Sequence, residues 1–431
     1  MATPPSCSKA ARRYRLGHHH CARRWRTASL TGGLILTLLC AGCSQAPKPS
    51  TTSSPTPAAV IASASPSGEV GYAVLIEQYQ APVPETENGW PILKPLLVPP
   101  DETTPPLTER LESLDKPADL AYFDKEVLPK LKEAFAKPAF FDPHPLLSGR
   151  DPLNFHYRDL RRLCDLVAAR ADLLWSADKK GEALELLRLP LGLAKAMQSR
   201  PETVSVNLFS GPSYANASLR DIADWASDNS LKGAELDQAA KLLAEYRPEY
   251  KHIIETISVD FAQFESSLDD TDTRNETLGL AMAKPEDIEL WKKQMRALSV
   301  DAKMLYGFEP GDADKFNKAV MKMAPQVQGL VSDYPAHSTQ QKLAYATYLA
   351  TELALGLERH RLSGEKKPLD AGKLLEQTFA ADEEAKKAAA ALLEYQPGES
   401  SGSFSLVGRG DAFKLAVPEG PTFYQRQGPA K

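Results

Sequence analysis

The sequence predicts an all-α fold: helical hairpins packed into one irregular, non-repetitive domain, with a small C-terminal β-hairpin. Three observations predict it. Apolar residues recur at spacings of three and four through most of the stretch from Ala118 to Glu394, the period that puts one stripe on one side of a helix. The clearest of these stripes come as a pair, over Phe155 to Ser199, separated by a glycine. Strict alternation of apolar and polar residues, the mark of a half-buried strand, is confined to the end of the chain.

Taken in order, Val70 to Gln80 is a short helical segment ended by Pro82 and Pro84. In Glu87-Asn88-Gly89-Trp90-Pro91-Ile92-Leu93 the Asn-Gly pair marks a turn, and Trp90, preceding a proline, is biased toward an extended conformation. Lys94 to Thr108 is proline-rich and irregular. Ala118 to Ala136 is an amphipathic helix on Leu120, Phe123, Val127, Leu131 and Phe135. Phe140-Phe141-Asp142-Pro143-His144-Pro145 opens an aromatic loop stiffened by prolines. The hairpin follows, with Leu160, Leu163, Val167, Ala171 and Leu174 on its first helix. Ala183, Leu186, Leu187, Leu191, Ala194 and Met197 form the second stripe, with the turn at Gly181 and an interruption at Pro190. Such hairpins are the unit of tetratricopeptide-like arrays, although no faithful repetition runs through this chain.

Thr203 to Ser227 continues as helix, bent at Gly211-Pro212, with Leu219, Ile222 and Trp225 inward. Ala234 to Tyr246 and Tyr250 to Leu268 form a pair broken at Pro248. Asp269 to Glu276 is a polar loop whose Asp270-Thr271-Asp272 opening departs from an EF-hand. Asn275 stands where the sharp-turn Gly belongs and Ala281 where the bidentate Glu belongs. Pro285 opens a helix through Ile288, Trp291, Met295 and Leu298, ending near Tyr306. Asp312 to Val331, Ser338 to Arg361 and Ala371 to Glu394 are further helices, the last with an exposed middle from Asp382 to Lys387. Phe404 and Leu406, then Phe413, Leu415 and Val417, alternate about Gly408-Arg409-Gly410-Asp411 and predict the terminal hairpin.

The start of the chain is of another kind. Lys9, Arg12, Arg13, Arg15, Arg23, Arg24 and Arg26 precede an apolar run, Leu34 to Leu39, that is too short to span a bilayer and ends in Cys40-Ala41-Gly42-Cys43. Leu39 to Cys43 resembles the lipobox of bacterial lipoproteins, with Cys40 where those proteins most often carry Leu. The resemblance implies cleavage before Cys43 and a diacylglycerol thioether with further fatty acylation, of the palmitate class, on that cysteine. Several acyl chains, each methylene contributing about 0.8 kcal/mol, make such an anchor effectively permanent. With Ser44 rather than Asp next, it implies delivery to the periplasmic face of an outer membrane. The expected organisation is a signal peptide over 1–42, a Ser/Thr/Pro/Ala tether over 43–68, a helical domain over 69–395, and the hairpin with its tail over 396–431. The tether has too few large apolar side chains to offset the entropy of ordering. Leu357-Glu358-Arg359-His360-Arg361-Leu362, Gly364, Pro368-Leu369 and Leu374-Leu375, together with Asn88-Gly89-Trp90-Pro91, resemble the layout of large uncharacterised helical envelope proteins of bacteria. That resemblance implies no activity and no catalytic residue.

The 431 residues carry a formal charge of −5, and no acidic residue precedes Glu69. Loss of the leader therefore removes seven cations and no carboxylate side chain. A mature chain that acidic is a poor match for nucleic acid, whose binding depends on neutralising phosphates. Of Cys7, Cys21, Cys40, Cys43 and Cys164, only Cys164 would keep a thiol after processing. It sits on the apolar face of a helix and is expected to be a buried structural thiol.

Catalytic patterns are sparse. Ser176-Ala177-Asp178-Lys179 and Ser227-Asp228-Asn229 have the form of two penicillin-recognising motifs, but Ser176 closes a helix instead of opening one and no Lys-Thr-Gly follows. No zinc, phosphate-loop or dinucleotide fingerprint is present. His18-His19-His20-Cys21 would leave with the leader, and His144, His156, His252, His337 and His360 have no ligand-like spacing. No metal and no cofactor is expected. The leading expectation is a membrane-anchored envelope lipoprotein that acts without catalysis, as a binding or scaffold module for an envelope protein or polymer. An envelope glycan hydrolase using paired carboxylates, with Glu255, Asp260 and Glu265 as candidates, is the alternative. Capture of a small ligand by Trp90, Phe140, Phe141 and His144 is a third.

Overall fold

A computed structural model describes residues 83–97, 107–111, 113–140, 152–198, 205–227, 231–248, 283–307, 313–323, 334–364, 370–397, 404–413 and 422–426, with single positions between 257 and 269 and between 325 and 331. The fold is all-α with a small antiparallel sheet at the C-terminal end. The expected segments at Val70 to Gln80 and, for most of its length, Tyr250 to Leu268 lie outside the described residues, as do Cys43 and the tether.

Trp90–Leu97 is helix α1, where an extended stretch was expected. The Trp90 N–H donates to Asn88 Oδ1 at 3.0 Å, an N-terminal cap, and Pro91 falls in the first turn, where no N–H is needed. Leu107–Arg110 forms the single turn α2. The segment expected over 118–136 is α3, Pro117–Tyr122, and α4, Leu128–Phe135, joined by a π-helical turn over Phe123–Val127. Pro129 explains the wide turn: a proline inside regular helix would leave the carbonyl four residues back without a donor and collide with it. Phe123 and Val127 are fully buried by the same turn.

The central hairpin is α5, Pro152–Ser176, and α6, Lys180–Gln198. Its turn is carried by Asp178, at φ 63°, and Gly181 lies within the first turn of α6. Asp tolerates the left-handed region because its short side chain bonds locally. Pro190 does not interrupt α6, which runs through it with the ring buried. Helix α7, Ser205–Ser227, buries Leu219, Ile222 and Trp225 as expected and packs against both arms of the hairpin. Helix α8, Ala234–Tyr246, packs on α6, while α9, Pro285–Leu305, and α10, Ala313–Val320, pack on each other.

Helix α11, Tyr334–Leu362, lies against α7 and also meets α8 and α9. It is buried nearly all round, which is why its apolar residues show no single stripe. The expected helix over 371–394 is two: α12, Ala371–Thr378, and α13, Glu383–Leu392. Asp370 and Asp382 cap them, each carboxylate accepting the backbone N–H three residues on, at 2.9 and 3.0 Å.

The sheet has three strands in the order β1, Leu393–Pro397; β2, Phe404–Gly408; β3, Thr422–Arg426, all antiparallel. The expected strand through Phe413 is instead the single helical turn α14, Gly410–Phe413. Strand β2 pairs with β1 and β3, and Leu415 and Val417 lie outside the described residues. Arg409 does not form a tight turn: its N–H donates to Leu392 O at 2.9 Å and its Nε to Leu393 O, fastening β2 to the junction of α13 and β1.

Candidate functional site

The aromatic residues singled out in the sequence go into the core. Trp90 is 2% exposed and Phe140 7%. Gly89 donates to Ala139 O at 2.8 Å and Ala139 to Glu87 O at 3.1 Å, a pairing that lays the 87–90 stretch against 139–140. A Cβ on Gly89 would lie 2.5 Å from the Phe140 ring, so the close approach requires glycine. Phe140 also meets Phe135 edge-to-face at 5.9 Å. The structure thus brings Trp90 and Phe140 to one place, as packing that joins α1 to the end of α4. Phe141 and His144 lie outside the described residues, as do the hydrolase candidates Glu255 and Asp260. Glu265 is bound to the guanidinium of Arg296. Cys164 is fully buried, and that burial, more than the Asp165 charge beside it, pushes its thiol well above the ordinary range.

The side chains with the most altered protonation lie elsewhere. Lys342, Tyr345, Tyr348 and Glu352 follow one another on α11 at spacings of three, three and four, which places them on one side of it. Tyr246 and Arg247, at the end of α8, and Asp382, the cap of α13, close over that side. The Tyr348 hydroxyl donates to Glu352 Oε1 at 3.1 Å. Tyr348 also meets the Tyr246 ring edge-to-face at 5.8 Å and stacks with Tyr345 at 6.1 Å. Arg247 bridges from α8 to Asp382 through an ion pair.

Electrostatics follow from that enclosure. Burial pushes the Glu352 carboxyl up to about 6, against the Tyr348 hydrogen bond and the Arg359 and Arg247 charges, which favour the anion. Burial likewise raises the hydroxyls of Tyr246, Tyr345 and Tyr348. Lys342, 6% exposed and with no carboxylate partner among the described residues, is lowered to about 8 by burial. The seam therefore holds an acid that half-ionises near pH 6 and an amine that half-protonates near pH 8. They are ten residues apart along one helix, about 15 Å at 1.5 Å per residue.

A second acid with raised proton affinity lies on α7. Asp221 Oδ2 is shielded from solvent with no hydrogen-bond partner, and burial followed by Asp172, Asp224 and Asp165 drives its carboxyl well above the ordinary range. It is not among the groups that shift Glu352, so the two acids do not form one electrostatic pair. Among the described residues no group of three His, Cys, Asp or Glu side chains is placed to hold a metal ion, and no helix is long and apolar enough to cross a membrane. The α11 seam was not read from the sequence. Its signal was there, in Lys, Tyr, Tyr and Glu at helical spacing within a run otherwise rich in Ala and Leu.

Comparison with protein-family models, with curated proteins and with solved structures finds no match.

Proposed function

We propose that this chain is a lipid-anchored binding or scaffold module of the bacterial cell envelope, acting without catalysis and held through Cys43 at the periplasmic face of the outer membrane. The observation that carries the reading is the order of parts at the start: basic segment, short apolar run, then Leu39-Cys40-Ala41-Gly42-Cys43 and a Ser/Thr/Pro/Ala stretch. A partner of the envelope, protein or polymer, fits a body placed close to that surface. The α11 seam is consistent with binding more than with turnover, because its amine and its carboxyl lie about 15 Å apart and proton transfer needs hydrogen-bond reach.

The test is mass spectrometry of the protein recovered from bacterial membranes. The expected N-terminal peptide begins at Cys43 and carries the mass of a diacylglycerol and an amide-linked acyl chain, while Cys43→Ser leaves the chain unacylated and its leader uncleaved. An unmodified Cys43 on an intact leader in the unaltered chain would overturn the reading.

One observation favours the second reading, an envelope glycan hydrolase: a Glu352 carboxyl that stays largely protonated below about pH 6 has the character of a general acid. Release of soluble fragments from cell-wall glycan, lost in Glu352→Gln with the fold intact, would decide for it.

A further inference from the structure

Helix α9 is apolar on two opposite sides. Ile288, Met295, Leu298, Ala302 and Leu305 are buried against the rest of the body. The far side of such a helix is ordinarily polar. Here it carries Leu290, Ala297, Val300 and Met304, and the three large ones are 51%, 59% and 63% exposed. At 100° per residue these four fall within about 80° of one another, on the side away from the core. Single exposed apolar residues need no cause, but a stripe of them does.

We propose that this stripe is the interface of a symmetric dimer, covered by α9 of a second copy of the chain running in the opposite direction. The charges select that occupant. Lys293, Ala297 and Asp301 lie on one i±4 ridge of α9, with the smallest residue in the middle. A two-fold axis through Ala297 lays the ridge against its own reverse, so that each Lys293 meets Asp301 of the other copy, twice per dimer. The same operation sets the Met304 end of each stripe against the Leu290 end of the other, and the alanine lets the two backbones approach. Lys293 has no carboxylate partner within its own chain among the described residues. Asp301 accepts at Oδ1 from Lys315 Nζ at 2.7 Å, and its Oδ2 has no hydrogen-bond partner among the described residues.

A lipid surface would favour cations along this ridge. Here the exposed Lys293 and Arg296 are matched by Asp301 and by the exposed Glu286 and Glu289, so the stripe carries no net positive charge. One helix crossing covers less than the roughly 1,200 Å² of a standard stable interface, so the association is expected to be weak, in the micromolar to millimolar range. It does not depend on the lipid anchor.

The experiment uses the full chain with Cys7, Cys21, Cys40 and Cys43 replaced by Ser, followed by sedimentation velocity from about 1 μM to about 1 mM. The expected result is a mass that doubles with concentration. Val300→Glu should weaken the dimer at least about tenfold while leaving the helical circular dichroism unchanged, because the residue is exposed. Met304→Glu serves the same purpose independently. Ala297→Cys, placed at the two-fold axis, should form an intermolecular disulfide under mild oxidation faster than Lys241→Cys, an exposed position on α8. A parent chain that stays monomeric to about 1 mM overturns the proposal. So does Ala297→Cys cross-linking no faster than Lys241→Cys. A monomer that floats with phosphatidylglycerol vesicles, and ceases to in Val300→Glu, assigns the stripe to a lipid surface and equally overturns it.

Discussion

Tyr348 and Glu352 are one helical turn apart on α11, and the phenol donates to the carboxylate at 3.1 Å in a setting that still raises the affinity of that carboxylate for a proton. The hydrogen bond and two nearby guanidinium groups favour the anion. Desolvation outweighs all three.

The sign of the consequence is fixed by linkage. A carboxyl raised from 4.5 to about 6 binds more protons folded than unfolded between those values, so its contribution to stability is complete below about pH 4.5 and is lost as pH rises through about 6. Glu352→Gln keeps an oxygen acceptor for Tyr348 and removes the titration. Its urea midpoint should exceed that of the parent at pH 7, by at most about 2 kcal/mol in stability, and the difference should vanish by about pH 4.

Lys342 obeys the opposite rule. Its amine is lowered from 10.5 to about 8, so the unfolded chain holds more protons between those values and stability rises with pH across that window. Lys342→Met retains the buried stem without the charge. Stabilisation at pH 7 of up to about 3 kcal/mol is expected, shrinking toward pH 10. An unchanged midpoint at pH 7 would mean that the amine reaches water more freely than its 6% exposure implies.

Gly356 on α11 packs against Leu374 and Thr378 of α12. A Cβ there would lie 2.5 Å from Thr378 Oγ1, itself buried without a hydrogen-bond partner. Gly356→Ala should destabilise by about 1–3 kcal/mol, as overpacking does. Thr378→Ala removes the hydroxyl but keeps Cβ, and the pair of substitutions together should cost less than the sum of the two, measured as a double-mutant cycle.

Cys164 should be silent toward thiol reagents in the folded protein, in a chain whose other cysteines are Ser, and should react only at the rate of unfolding. Cys164→Ser places a hydroxyl in a fully buried apolar site and should cost about 1–3 kcal/mol.

The helices α5, α6, α8 and α9 are readable from spacing alone because each has a single side against the core. The α11 seam escaped because Lys342, Tyr345 and Glu352, at turn spacing in a helix, look like a solvated face. Tyr246 and Arg247, about 100 residues before, and Asp382, about 30 residues after, close over Tyr345, Tyr348 and Glu352, and no local pattern encodes that. Trp90 was misread for a similar reason: the proline bias toward extended backbone is real, but the Asn88 cap and the pairing of Gly89 with Ala139 outweigh it. At the C-terminal end, Leu406 shows strand alternation plainly. Its neighbours do not follow from it, because β1 reads as the tail of a helix and Phe413 alternates in register while turning in α14.

Helix α13 ends at Leu392 and β1 begins at Leu393, with no intervening loop, and Asp382 at the far end of that helix grips Arg247. The sheet is in effect welded to a lever. Displacement of β1 has no slack to take up and is passed directly to α13, whose far end is tied to α8 by the ion pair.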